Sequence, residues 1–154
     1  MKRYVIFFTL ALVPLVLYFP FRLVAARTNT TVLGYFETNG GIVSGGFAYP
    51  WATALWPSYA FLAGCIPFLI ASLLGLSWKT KLTLFPLVVF VSYAVANLDS
   101  IAGFSDSGDT GLLSWELSPD GWNTTLLSVV ACPIAITIGA LVGTLLARRF
   151  GRQD

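Results

Sequence analysis

From Thr38 to Trp78 the chain carries no charged residue. A soluble domain, about 25% charged on average, rarely goes so far without one. Used as punctuation, the charges mark out three more apolar stretches. Val5–Phe21 runs 17 residues between Lys2-Arg3 and Arg22, Leu82–Leu98 runs 17 between Lys81 and Asp99, and Gly121–Ala147 lies between Asp120 and Arg148. In the long stretch the denser part is Pro57–Ser77. A bilayer core of about 30 Å takes roughly 20 helical residues, with about 17 at the short end. With 56% hydrophobic and 10% charged residues in 154, there is more apolar surface than a soluble core can absorb. The expectation is an all-α membrane protein, an antiparallel bundle of four transmembrane helices forming one membrane domain over 1–154. The helices are placed at about 4–25, 55–78, 82–98 and 123–147, with outer loops at 27–52 and 99–122 and an inner loop at 78–81.

Lysine and arginine concentrate on the cytoplasmic side of membrane proteins. With the N-terminus inside, Lys2, Arg3, Lys79, Lys81, Arg148, Arg149 and Arg152 are cytoplasmic, seven of the nine basic residues, and only Arg22 and Arg27 are outside. Both termini are then cytoplasmic, and a prokaryotic inner membrane is the expected location. Glu37, Asp99, Asp106, Asp109, Glu116 and Asp120 emerge on the outer face. The "MKR" start followed by an apolar run and Val24-Ala25-Ala26 also resembles a secretory signal. The run exceeds the usual 7–15 apolar residues and Arg22 intrudes, so residues 1–26 are read as a retained helix.

In the first outer loop, Asn39-Gly40 between β-prone runs signals a small hairpin with a type I′ turn. In the second, Ser118–Gly121 reads as a β-turn and Gly111–Leu117 as a short surface helix. Trp51, Trp56, Tyr59, Trp115 and Trp122 form an expected outer aromatic belt, with Tyr4 and Trp78 an inner one.

The fourth helix carries the most specific pattern. Ala131, Ala135, Gly139, Gly143 and Ala147 recur every four residues and so share one face. Helices associate in lipid through close backbone approach, which small residues permit. This smooth face serves either for packing against the chain's own helices or for docking a partner's helix. Ala60–Gly64 and Ala71–Gly75 on the second helix suit the internal contact.

Other chemistry finds little support. No Asp, Glu, Lys, Arg or His lies within the four apolar cores, where proton relays and ion-coupled carriers place such groups. Histidine is absent. The basic residues form no continuous face for nucleic acid. Cys65 and Cys132 belong to no CxxC pair and read as small hydrophobes. Asp109-Thr110-Gly111 has the aspartic-protease tripeptide without the paired β-lobes that chemistry needs. Asp106 and Asp109 fall at positions 1 and 4 of "DSGDTG", a poor match to an EF-hand loop, and make at most a weak outer cation site. Asp99, Asp106, Asp109, Glu116 and Asp120 together read as a solvated acidic outer surface. No catalytic residue and no cofactor are expected.

The layout of four helices with both ends inside is similar to that of immunity proteins against pore-forming bacteriocins, and implies a membrane-embedded binder. The leading expectation is therefore a non-enzymatic accessory subunit or inhibitor-type protein. It would meet lipid and another integral membrane protein, or a second copy of itself, through the fourth helix's small-residue face and the outer loops. The alternative is an oligomeric permease for uncharged substrates, with Ser72, Ser92, Thr137 and Thr144 as its sparse polar lining. An enzyme with a site in the acidic outer loop comes third.

Overall fold

The computed structural model describes residues 2–28, 35–38, 41–44, 50–106 and 119–151, with side chains described within 4–28, 54–95 and 130–151. Its helices are α1 (Lys2–Ala11), α2 (Val13–Arg27), α3 (Pro50–Leu73), α4 (Trp78–Asp106) and α5 (Pro119–Phe150). Two four-residue strands, β1 (Tyr35–Thr38) and β2 (Gly41–Ser44), lie antiparallel with Thr38 opposite Gly41. Asn39 and Gly40, on which the turn type depends, fall outside the described residues.

Four segments are long and apolar enough to cross a membrane: Tyr4–Arg27, Ala54–Leu73, Trp78–Val95 and Val130–Phe150. Their outer surfaces carry the bulk, with Phe8, Phe19, Leu23, Phe90, Ile134, Leu141 and Leu145 all exposed. The interior is built largely of small side chains, among them Ala25, Ala60, Ala63, Ala71, Ala140 and Ala147. In water this arrangement would leave the larger hydrophobic surface wet. Hydrocarbon, which offers helices no reason to hide leucine, reverses the preference.

The first span matches the helix expected over about 4–25, apart from one local irregularity. It runs Tyr4–Arg27 with a one-residue irregularity at Leu12, where α1 hands over to α2. Pro14 has no N–H to offer the Leu10 carbonyl, and its ring crowds that turn. Leu12 N shares its donation between the Phe8 oxygen at 3.1 Å and the Thr9 oxygen at 3.2 Å, and Leu15 N reaches the Leu12 oxygen at 3.0 Å, so the turn tightens without ending the helix.

Between α3 and α4 the turn is at 74–77, not at 78–81. Charged residues marked the loop from sequence, but the backbone turns at the glycine before them. Gly75 takes φ +66°, a conformation open to glycine at little cost. Its N–H reaches the Ser72 oxygen at 3.1 Å while Leu76 N reaches the Ala71 oxygen at 2.9 Å, the paired bonds of a Schellman cap. Ser77 then caps α4, its Oγ accepting from Thr80 N at 3.3 Å. Trp78–Lys81 is therefore the first turn of a helix. Within this hairpin Tyr59 lies across from Ser92 and Phe68 across from Phe85, the rings of the latter pair 6.3 Å apart.

Two boundaries move on the far side as well. α4 continues to Asp106, past the expected end at 98, so Asp99 and Asp106 are helical in backbone rather than in a loop. α5 starts at Pro119, so the Ser118–Gly121 β-turn is replaced by a helix start. Proline suits a first helical position because its missing N–H would have no partner there. The surface helix expected over 111–117 lies outside the described residues.

α3 is the central element. Of its span 56% is buried, against 22% for the first and third spans and 33% for the fourth. α5 packs along one side of α3, and α2 and α4 pack on the other. α5 meets α4 only slightly and has at most grazing contact with α1 and α2. Among the described residues the helices do not close into a ring.

Candidate functional site

The small-residue face of α5 is filled by α3. A Cβ placed on Gly139 would abut the Phe61 carbonyl oxygen and stand 2.9 Å from Cys65 N. One placed on Gly143 would abut the Cys65 oxygen and stand 3.0 Å from Leu69 N. Reciprocally, Gly64 on α3 faces the Ile136 backbone. Residue numbers rise together on the two helices, so α3 and α5 run parallel, backbone against backbone. Gly139, Gly143 and Ala147 are buried, whereas Ala131 and Ala135 are half-buried. For the lower part of this face, docking of a partner gives way to internal packing, because the space is already taken. Gly64 was legible as part of Ala60–Gly64. Gly75 belongs to the turn and packs against nothing within 4 Å.

Where the face widens, beside Ala135, an open notch of about 520 Å³ lies between Pro57, Ser58, Phe61, Leu62, Ala135 and Ile138. Its wall is almost wholly apolar. Among the described residues only α3 and α5 line it.

On the opposite side of α3, Tyr59 is fully buried and ties three elements together. Its hydroxyl donates to the Pro14 carbonyl on α2 at 3.1 Å, with the Ser92 carbonyl on α4 at 3.5 Å. Trp56 stacks on its ring at 5.7 Å, and Phe21 and Tyr18 meet it edge-on at 5.6 and 6.1 Å. Trp56 and Tyr59 thus do not belong to the expected outer belt. They are three apart, on the face of α3 that turns inward. Only an inspection of which face they shared with Ala60 and Ala63 could have found this from sequence. Tyr4 and Trp78 are exposed, as an interfacial belt requires.

The hydroxyls considered as a polar lining are spent on their own helices. Ser72 donates to the Phe68 oxygen, Ser92 to Val88, Thr137 to Pro133 and Thr144 to Ala140, at 2.6–2.8 Å, each four residues back. Cys65 and Cys132 are free thiols, both buried. Of the acidic surface, Asp99 and Asp106 lie on the last turns of α4 and Asp120 on the first of α5, without described side chains. Asp109 and Glu116 fall outside the described residues, and with them the weak Asp106–Asp109 cation site.

Four helices long and apolar enough to cross a membrane, with many large apolar side chains on the exterior, support the class of multi-pass integral membrane proteins. No protein-family model, curated protein or solved structure matches this chain.

Proposed function

We propose that this chain is a non-enzymatic membrane protein that acts by binding another integral membrane protein, as an accessory or inhibitory subunit. The observation that carries the reading is the unclosed side of α5. Held chiefly by α3, α5 presents an apolar notch beside Ala135 and Ile138 to the bilayer. A helix in lipid gains by filling such a notch, since packing rather than hydrophobicity drives association there. The back-bonded hydroxyls and the uncharged span cores support binding over transport.

In this reading the protein sits in a prokaryotic cytoplasmic membrane with both termini inside, as the distribution of its basic residues favours. The β-hairpin of the first outer loop and the acids of the second face outward and extend the binding surface. The partner site is the notch together with Ala131 and Ala135, rather than the buried Gly139 and Gly143.

The test is extraction from native membranes in mild detergent, followed by identification of stoichiometric companions. Ile138→Trp, which fills the notch from an exposed position, leaves accumulation unchanged and abolishes co-purification. A chain that instead purifies as a lone oligomer and leaks solute in liposomes sinks the proposal.

A further inference from the structure

The bundle end that bears the α3–α4 turn has a second recess, of about 510 Å³, with a largely polar wall. Ser72 of α3, Trp78 and Lys81 of α4, and Thr144 and Arg148 of α5 surround it. The Lys81 ammonium donates to Ser72 Oγ at 2.9 Å, which holds it beside the recess and leaves two of its N–H groups unused. Ser72 and Thr144 commit their own protons to the Phe68 and Ala140 carbonyls, so both present lone pairs. The charged donors that remain among the described residues are those of Lys81 and the fork of Arg148. Neither makes an ion pair among the described residues. The chain's remaining carboxylate at this end in sequence, Asp154, lies outside them.

Two cations from different helices around one recess call for an anion. The first turn of α4 brings the positive end of its dipole and the last turns of α3 and α5 bring the negative ends of theirs, so the attraction for an anion rests on the two side chains. The recess also lies where the apolar windows Trp78–Val95 and Val130–Phe150 meet the basic end, with the exposed Trp78 ring at its rim. That is the level of lipid headgroups. Leu73, which lines the recess and is exposed, provides apolar surface for an acyl chain. Lys79 and Arg149 occupy the same level but do not line it. Basic residues that merely flank a span have no need to converge; Lys81 and Arg148 do.

The geometry points to a binding site for the phosphate of an anionic phospholipid headgroup, held between Lys81 and Arg148. It is independent of any protein partner. Basic recesses between helices at the membrane surface suit such headgroups, and a phosphodiester matches a guanidinium fork.

The test uses native mass spectrometry of the full chain in detergent with phosphatidylglycerol, phosphatidylcholine or inorganic phosphate added. Phosphatidylglycerol remains bound to the wild type and phosphatidylcholine does not. Lys81→Gln with Arg148→Gln weakens retention on the order of 30-fold. Lys79→Gln with Arg149→Gln removes the same charge and leaves retention within about twofold. The charge-preserving pair Lys81→Arg with Arg148→Lys keeps the lipid, and carries the test if the neutral pair does not accumulate. Equal loss in the two neutral pairs overturns the site in favour of generic surface charge. Equal retention of phosphatidylcholine, or displacement of the lipid by millimolar inorganic phosphate, overturns the anionic-lipid assignment.

Discussion

Gly139 of α5 stands so close to Cys65 of α3 that an added methyl group would come within 2.9 Å of the Cys65 amide nitrogen. The atoms in the way are backbone and cannot rotate aside. Gly139→Leu therefore separates α3 from α5, and its cost exceeds the roughly 1–3 kcal/mol of ordinary overpacking. The expected result is loss of a monodisperse peak in size-exclusion chromatography and a large fall in melting temperature. Were the variant as stable as wild type and merely deficient in partner binding, the α3–α5 contact would be wrong.

The turn before α4 rests on different physics. Gly75→Ala meets no neighbour but forces a Cβ into left-handed backbone, at about 1–2 kcal/mol. Ser77→Ala removes the acceptor for Thr80 N and costs about 1 kcal/mol. The two lie in one turn, so their effects on thermal unfolding need not add. An unaltered midpoint for both would place the turn elsewhere, for instance at 78–81.

Tyr59→Phe keeps the aromatic cluster and deletes a hydroxyl whose acceptors already serve in helices. Hydrogen bonds inside membrane bundles contribute about 0.6 kcal/mol on average, so a loss near 1 kcal/mol is expected. Tyr59→Ala, which empties a fully buried site at the junction of α2, α3 and α4, costs roughly 3–5 kcal/mol, as for other large aromatics. Denaturation in mixed micelles separates the two. Equal effects would mean that ring packing contributes nothing.

Phe90 is 70% exposed in the middle of the third span, whereas Val88 is fully buried two residues earlier. Phe90→Lys faces hydrocarbon and penalises insertion by about 2.5–3.5 kcal/mol. Phe90→Leu is neutral. A glycosylation-reporter insertion assay of this span reads the difference, and normal insertion of the lysine variant would place Phe90 in the interior.

Much of this fold was legible from the chain alone, because a span is recognised by a sum over its own residues. Charges at Lys81 and Asp99, and at Asp120 and Arg148, located two helices to within several residues. They misplaced the ends, since a helix stops where its backbone is capped and not where its charges begin. Gly75 and Ser77 made the cap, while Asp99 and Asp106 stayed helical. The recurrence of small residues at Gly139 and Gly143 announced a close contact without naming its partner. Tyr59 was put at the surface because tyrosine favours interfaces on average; instead it is buried where α2, α3 and α4 meet.

Sequence by itself determined that four segments of this chain belong in hydrocarbon, because transfer from water depends on local composition and length. The tertiary structure alone decided that α3 is central, that its backbone occupies the glycine face of α5, and that Lys81 and Arg148 border one recess. Those outcomes depend on shape matching between segments some 70 residues apart, and no local sum of hydropathy contains it.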